Sequence, residues 1–265
     1  MASVEDLATT FGWPAGLADT VVKSNDTIAF RFVLVDNSRS MVNIDGHQLL
    51  DNEGSPSYEK CTRWEEVSGS VRSIARLADA VLAPTEIRLL NNAVPVVILG
   101  KENDGGINLA VIMDQLDGQP IGQTPIAKQL GEIVDQIKAM EDDLRANNKI
   151  AVLIIMTDGK ASDGCTIDAM KPLEGMPVQM IIRVCSTDRD IIEYWDNVNA
   201  ELDIDVLLLN DLEAEGANIS KNNNWLTYGM PLHRAREFGV IVPEIDNLNY
   251  RPLTRPEIKI ISQIL

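Results

Sequence analysis

Four nearly continuous apolar runs divide the chain: 28–35 (IAFRFVLV), 150–156 (IAVLIIM), 178–185 (VQMIIRVC) and 204–209 (IDVLLL). Each has the length of a strand and is rich in β-branched residues. A strand with one wet face alternates apolar and polar positions. A continuous run predicts burial on both faces, as in a parallel sheet covered by helices. Residues 86–90 and 94–99 predict a further pair, joined by only NNA. That link is too short for a parallel crossover, so the pair is expected to be antiparallel at a sheet edge, a place that also suits Pro95.

Between the runs the apolar period changes to that of a helix. Trp64, Val67, Val71, Ile74, Leu77, Ala78 and Val81 follow i, i+3, i+4, i+7 spacing, as do Ile126, Leu130, Ile133, Val134, Ile137 and Met140. Shorter helices are expected around 107–116, 166–173, 190–200 and 211–220. Within the first of these, 109–113 (LAVIM) reads equally as helix or strand. Strands alternating with helices predict an α/β fold with a doubly wound, Rossmann-like, mostly parallel sheet. It has one antiparallel edge strand and helices on both faces. Residues 25–222 form that domain. Residues 1–24 and 223–265 read as helical extensions, and 42–60 as a long polar loop.

Hydrophobic residues make up 45% of the 265 positions, which suffices for a core and excludes a disordered chain. The net charge of −17 is spread along the sequence. Such a field opposes nucleic acid and anionic membrane surfaces and favours a cation as cofactor. Cys61, Cys165 and Cys185 are odd in number and lack CxxC spacing, so neither a disulfide framework nor a zinc site is expected. With no signal-peptide pattern at the start and no apolar run of membrane-spanning length, the expectation is an intracellular, cytoplasmic protein without membrane insertion.

Ligands of doubly wound sheets bind beyond the carboxyl ends of the strands. Three loops there carry oxygen donors: DNSRS after the first run, TDGKASDG after the second, and GQTPI before the second long helix. Singly, each has a plain structural reading. Asp36, Ser38 and Ser40 suit a turn or helix cap, Thr124-Pro125 suits an N-cap followed by proline, and Asp158-Gly159 suits a turn. Jointly they offer two carboxylates and three hydroxyls, a donor set that suits hard cations such as Mg²⁺. The D-x-S-x-S spacing lets Ser38 and Ser40 point the same way.

This set, Asp36, Ser38, Ser40, Thr124 and Asp158 in that order, resembles the metal-ion-dependent adhesion site of von Willebrand factor type A (VWA) domains. In those domains D-x-S-x-S follows the first strand, a threonine lies in a later loop and an aspartate follows the fourth strand. The resemblance covers roughly residues 25–222. Arg39 stands where many members have glycine, and Gln123 where many have a second glycine; neither change removes a ligand. The resemblance implies Mg²⁺, with Mn²⁺ or Ca²⁺ as alternatives, held by the serines and threonine directly and by the aspartates largely through water. It further implies a non-enzymatic interaction module whose ion accepts an Asp or Glu carboxylate from a partner protein. Two other readings stand beside it: a Mg²⁺-dependent phosphohydrolase with Asp36 as nucleophile, and a VWA scaffold without metal. Against the first, Ser38 stands where such phosphatases usually place a second acid. A dinucleotide site is excluded, because no G-x-G-x-x-G follows the first strand.

The remaining polar candidates read as structural. His47 is expected to be a solvated loop residue and His233 a surface residue. Asp45, Asp51 and Glu53 lack calcium-loop spacing and are expected to be solvated acids, and Trp64 and Trp195 are expected to pack in the core.

Overall fold

Each of the four apolar runs forms a strand of one six-stranded sheet. The computed structural model describes residues 2–52, 55–91, 96–100, 106–186 and 188–265, of which 50–52 and 55–56 are described by their backbone alone. Pro95, Glu53 and the side chain of Asp51 lie outside the described residues. Helices α1 (Val4–Phe11) and α2 (Ala15–Thr27) lead into β1 (Ile28–Val35). There follow β2 (Gly46–Asn52), β3 (Ser55–Cys61), α3 (Arg63–Ala80), β4 (Thr85–Leu89), β5 (Val97–Leu99), α4 (Ile107–Leu116) and α5 (Ile126–Ala146). Next come β6 (Ile150–Thr157), α6 (Thr166–Met170), β7 (Val178–Val184), α7 (Arg189–Glu201), β8 (Asp205–Leu209) and α8 (Leu212–Asn222). The chain closes with α9 (Met230–Glu237), α10 (Pro243–Asp246) and α11 (Arg255–Ile264).

The strand order is β5-β4-β1-β6-β7-β8, with every pairing parallel except β4–β5. Alternate side chains of the apolar strands divide between two cores, as the two-residue period of a strand requires. Val33, Val35, Val152, Ile154 and Met156 face one core, built with α2, α3 and α9. Phe32, Leu34, Ala151, Leu153 and Ile155 face the other, built with α5 and α7. Trp64 and Trp195 pack as expected, 6% and 0% exposed. The ambiguous segment 109–113 is helical, within α4.

The long polar loop expected at 42–60 is instead largely an antiparallel hairpin, β2–β3, separate from the main sheet and packed on α3. Its sequence gives no apolar alternation because its strands join no core sheet. Gly46 permits the close approach: a Cβ there would lie 2.9 Å from both Glu66 Oε2 and Thr62 O.

The terminal helices share the first core through Leu7, Leu17, Val21, Leu232, Phe238, Ile245 and Ile261. Buried Arg31 of β1 joins both ends: it donates to Ser24 Oγ (2.6 Å), Asn25 Oδ1 (3.1 Å) and Phe238 O (3.0 Å). In α10, burial pushes the Asp246 carboxyl up to about 6, against the attraction of Arg236. Its Oδ1 is buried without a hydrogen-bond partner among the described residues. A raised carboxyl pKa means the folded state holds its proton more tightly, so stability falls as pH rises from about 4 to about 6. Asp246→Asn removes that loss. Relative to the wild type, the variant is expected to gain up to about 3 kcal/mol between pH 4 and pH 7. Denaturant melts at the two pH values check this; parallel pH dependence in both proteins contradicts it.

Candidate metal centre

The strand order reverses between β1 and β6, so their carboxyl ends border the crevice where doubly wound sheets bind ligands. Asp36 follows β1 directly and Asp158 follows β6. Asp36 is 1% exposed and both its oxygens are engaged. Oδ1 accepts the Ser38 amide (2.8 Å) and Oδ2 accepts the Thr157 hydroxyl (2.7 Å). Burial pushes its carboxyl above the usual range, opposed by these hydrogen bonds. The turn reading of Asp36 is therefore right, but it does not extend to the serines. Their hydroxyls leave the backbone uncapped and face each other at 3.0 Å, and Ser40 Oγ donates to Asp158 Oδ1 at 2.8 Å.

These two spacings are those of hydrogen bonds, and they are also compatible with a small cation. With metal–oxygen distances of about 2.0–2.1 Å, neighbouring oxygens of an octahedral Mg²⁺ lie roughly 2.9 Å apart. Ser38 Oγ, Ser40 Oγ and Asp158 Oδ1 already stand in such a row. No cluster of three or more His, Cys, Asp or Glu able to hold a metal occurs among the described residues. A cation here thus relies on hydroxyls, and soft-metal ligation has no place in the donor set.

The capping reading of Thr124 is overturned. Helix α5 begins at Ile126 with Pro125 at the N-cap, and no side chain of the cap bonds the helix. Asp163, from the loop after β6, takes that task instead, accepting the amides of Ala127 (3.0 Å) and Lys128 (2.9 Å). This spares the Thr124 hydroxyl, which makes no hydrogen bond among the described residues. The Thr124 backbone is clamped by Ser162, whose Oγ accepts its amide (3.1 Å) and whose amide donates to its carbonyl (2.9 Å). The same loop reaches the β1 side through Ile121 N to Asn37 O (2.8 Å) and Arg39 N to Gly122 O (3.3 Å). All three oxygen-bearing loops are thereby joined, although no hydrogen bond links the Thr124 side chain to the other four residues.

Gly122 holds φ at +80°, and a Cβ there would meet Asn91 Oδ1 at 2.5 Å. Gly122→Ala is expected to displace Thr124 and weaken cation binding about tenfold or more. It should cost only about 1–2 kcal/mol of stability, the usual scale of backbone strain. Cation titration beside thermal melting checks the split; equal losses in both variant properties, or neither, contradict it.

Arg63, at the start of α3, is a site residue that the motif gave no means of placing. Its Nη1 donates to Asp158 Oδ2 (2.7 Å), while Nε and Nη2 hold the two oxygens of Asp45 at 2.6 Å each. Hydrogen bonds from Arg63 hold Asp45 below the usual carboxylate range, so Asp45 is an ion-pair partner and not a solvated acid. His47 is half-buried in β2, with Nδ1 3.4 Å from Asp211 Oδ2, rather than solvated in a loop. His233 is buried, not on the surface: Nδ1 meets Tyr228 Oη at 3.0 Å and Nε2 lies 3.3 Å from Glu237 Oε1.

No family model and no curated protein matches the sequence. The chain is similar in structure to BatB from Bacteroides thetaiotaomicron: 12% identity, 69% of this chain, 90% of that one, TM-score 0.45. It is similar to the SpRpn10 VWA domain: 11% identity, 70% and 88% covered, TM-score 0.41. It is also similar to the ArnB paralog VWA2 from Sulfolobus acidocaldarius: 16% identity, 70% and 41% covered, TM-score 0.38. Two of the three are VWA proteins by name. Identities and TM-scores this low carry no argument about function. No helix among the described residues is long and apolar enough to cross a membrane.

Proposed function

We propose that this chain is an interaction module of the VWA kind. A divalent cation, Mg²⁺ or alternatively Mn²⁺ or Ca²⁺, is held by Asp36, Ser38, Ser40, Thr124 and Asp158 and takes a carboxylate from a partner protein. The observation that carries the reading is the row of Ser38, Ser40 and Asp158 oxygens at 3.0 and 2.8 Å. The ion, when bound, supplies a Lewis-acidic position for the partner's carboxylate. The chain's own residues do the rest. Thr157 and the Ser38 amide fix Asp36, the Asp163 cap leaves the Thr124 hydroxyl unclaimed, and exposed Ser40 marks the open side. Hydroxyl ligands add no formal charge, so the ion keeps its attraction for an acid despite the acidic surface around it.

The site's rim suits a protein partner. Ile44 and Ile121 are 68% and 59% exposed, and exposed Arg39 donates its amide to the carbonyl of Gly122, next to Ile121. Apolar side chains at the margin of a cation favour a partner whose acidic residue has apolar neighbours. Asp36, buried with both oxygens engaged, is poorly placed to attack a phosphorus atom, which favours binding over the phosphohydrolase alternative. One observation favours a metal-free scaffold: Asp158 already has a cationic neighbour in Arg63.

Affinity capture on the immobilised chain in Mg²⁺ and in EDTA, with a Ser38→Ala/Ser40→Ala double variant alongside, tests the proposal. Partners are expected only in Mg²⁺ and only on the unaltered chain. The same proteins retained under all three conditions would remove the reading.

A further inference from the structure

Arg63 is tightly built in. Its side chain is 11% exposed. It occupies the first turn of α3, whose start is fixed by the capping box of Thr62 and Glu65, and its amide donates to Asn43 O at 3.0 Å. Three of its nitrogens hold two carboxylates: both oxygens of Asp45, and Oδ2 of Asp158. The other Asp158 oxygen accepts Ser40. One carboxylate therefore has a fixed guanidinium on one side and the row of hydroxyls on the other. A divalent ion among those hydroxyls faces the guanidinium across a single carboxyl group, in a half-buried place where solvent screens the repulsion incompletely.

We propose that Arg63 is a resident counter-cation of the metal centre. It neutralises Asp158 when no ion is bound and lowers the affinity that the same oxygens would otherwise have for one. This rests on the metal reading of the site. Two effects of opposite sign follow. Without the arginine's charge, Asp158 and Asp45 lose their shared partner, so the metal-free protein is weakened. The same loss makes the site more negative, so a cation binds more tightly. In the native chain the ion is consequently held loosely until a partner carboxylate offsets the guanidinium, which makes ion and partner bind cooperatively. Because Asp45 directly precedes the β2–β3 hairpin, Arg63 also ties that hairpin to the state of the metal centre.

The test is Mn²⁺ titration of the full chain by calorimetry, with melting curves in EDTA and in Mn²⁺, for the wild type, Arg63→Met and Arg63→Lys. Arg63→Met is expected to bind Mn²⁺ at least tenfold more tightly than the wild type while melting several degrees lower in EDTA. Added Mn²⁺ should close that gap. Arg63→Lys keeps the charge without the forked geometry and is expected to stay within about threefold of the wild type. If Arg63→Met does not fold, Arg63→Gln, which keeps hydrogen-bond donors without the charge, is expected to behave likewise. A residue that merely orients Asp158 gives the reverse, with both the Met and Lys variants binding more weakly. That result, or unchanged affinity in the neutral variants, overturns the proposal and leaves the metal reading standing. Mn²⁺ binding by Arg63→Met but not by the wild type supports the opposing role of Arg63 and overturns the metal reading of the unaltered chain. Binding by no variant overturns both.

Discussion

Glu237→Ala is expected to destabilise the fold by about 3–5 kcal/mol, the cost of stripping a buried charge of its partner. Glu237 is fully buried in α9 and gathers four groups. Ser70 Oγ (2.9 Å) and Arg183 Nε (3.1 Å) donate to Oε1, His233 lies beside the same oxygen, and Arg234 pairs with Oε2. Arg183 also pairs with Glu66, whose Oε2 accepts the His47 amide at 2.8 Å. One chain of charges thus fastens the β2–β3 hairpin, α3 and α9 to the end of β7. Removing Glu237 leaves Arg183, 2% exposed, with Glu66 as its one carboxylate partner among the described residues. Burial opposes ionisation of Glu237, yet Arg234, His233 and Arg183 hold its carboxyl well below the usual 4.5. A depressed carboxyl pKa contributes stability that is complete above the unfolded value and is lost as pH falls below it. The deficit of Glu237→Gln relative to the wild type should therefore shrink as pH drops below about 4.5. Chemical denaturation across pH checks both statements, and a deficit under about 1 kcal/mol at neutral pH contradicts the first.

The second large effect concerns the ion. Asp158→Ala is expected to reduce Mg²⁺ affinity by about a hundredfold or more, because it removes a carboxylate of the site and leaves the Arg63 charge, still paired with Asp45, without the anion that separates it from the hydroxyls. A ligand that binds only the folded state stabilises it by about 2.7 kcal/mol at a hundred times its dissociation constant. The wild type should accordingly melt higher as Mg²⁺ is raised, and Asp158→Ala should not respond over the same range. Asp158→Asn separates shape from charge: an amide oxygen can still accept Ser40, so a response intermediate between the two is expected. Equal Mg²⁺ responses in all three proteins contradict the assignment of Asp158.

The sheet was legible because its strands are buried on both faces, which writes them as unbroken apolar runs; β1 occupies the whole of the run at 28–35. The hairpin was not, since it joins no core sheet and its exposed polar residues carry no period. For the site, the loops and their order were legible, but the hydrogen-bond economy between them was not. Asp163 caps α5 from a position 35 or more residues away in sequence, whereas local spacing points to Thr124 for that cap. Arg63 meets Asp158 across 95 residues, and one arginine at the first turn of a helix gives no sign of what it will face. His47 is half-buried against Asp211, 164 residues away, which no local pattern foretells. His233 is buried with Glu237 of its own helix and Tyr228 just before it, and only the docking of α9 onto the core makes that face an interior one.

The central claim is that the oxygens of Asp36, Ser38, Ser40, Thr124 and Asp158 hold a divalent cation. Calorimetric titration of the EDTA-stripped full chain with Mg²⁺, beside the Ser38→Ala/Ser40→Ala double variant, tests it most directly. One ion per chain in the wild type and none in the variant is the predicted result. Equal uptake by both proteins, or none by the wild type at millimolar Mg²⁺, would contradict it.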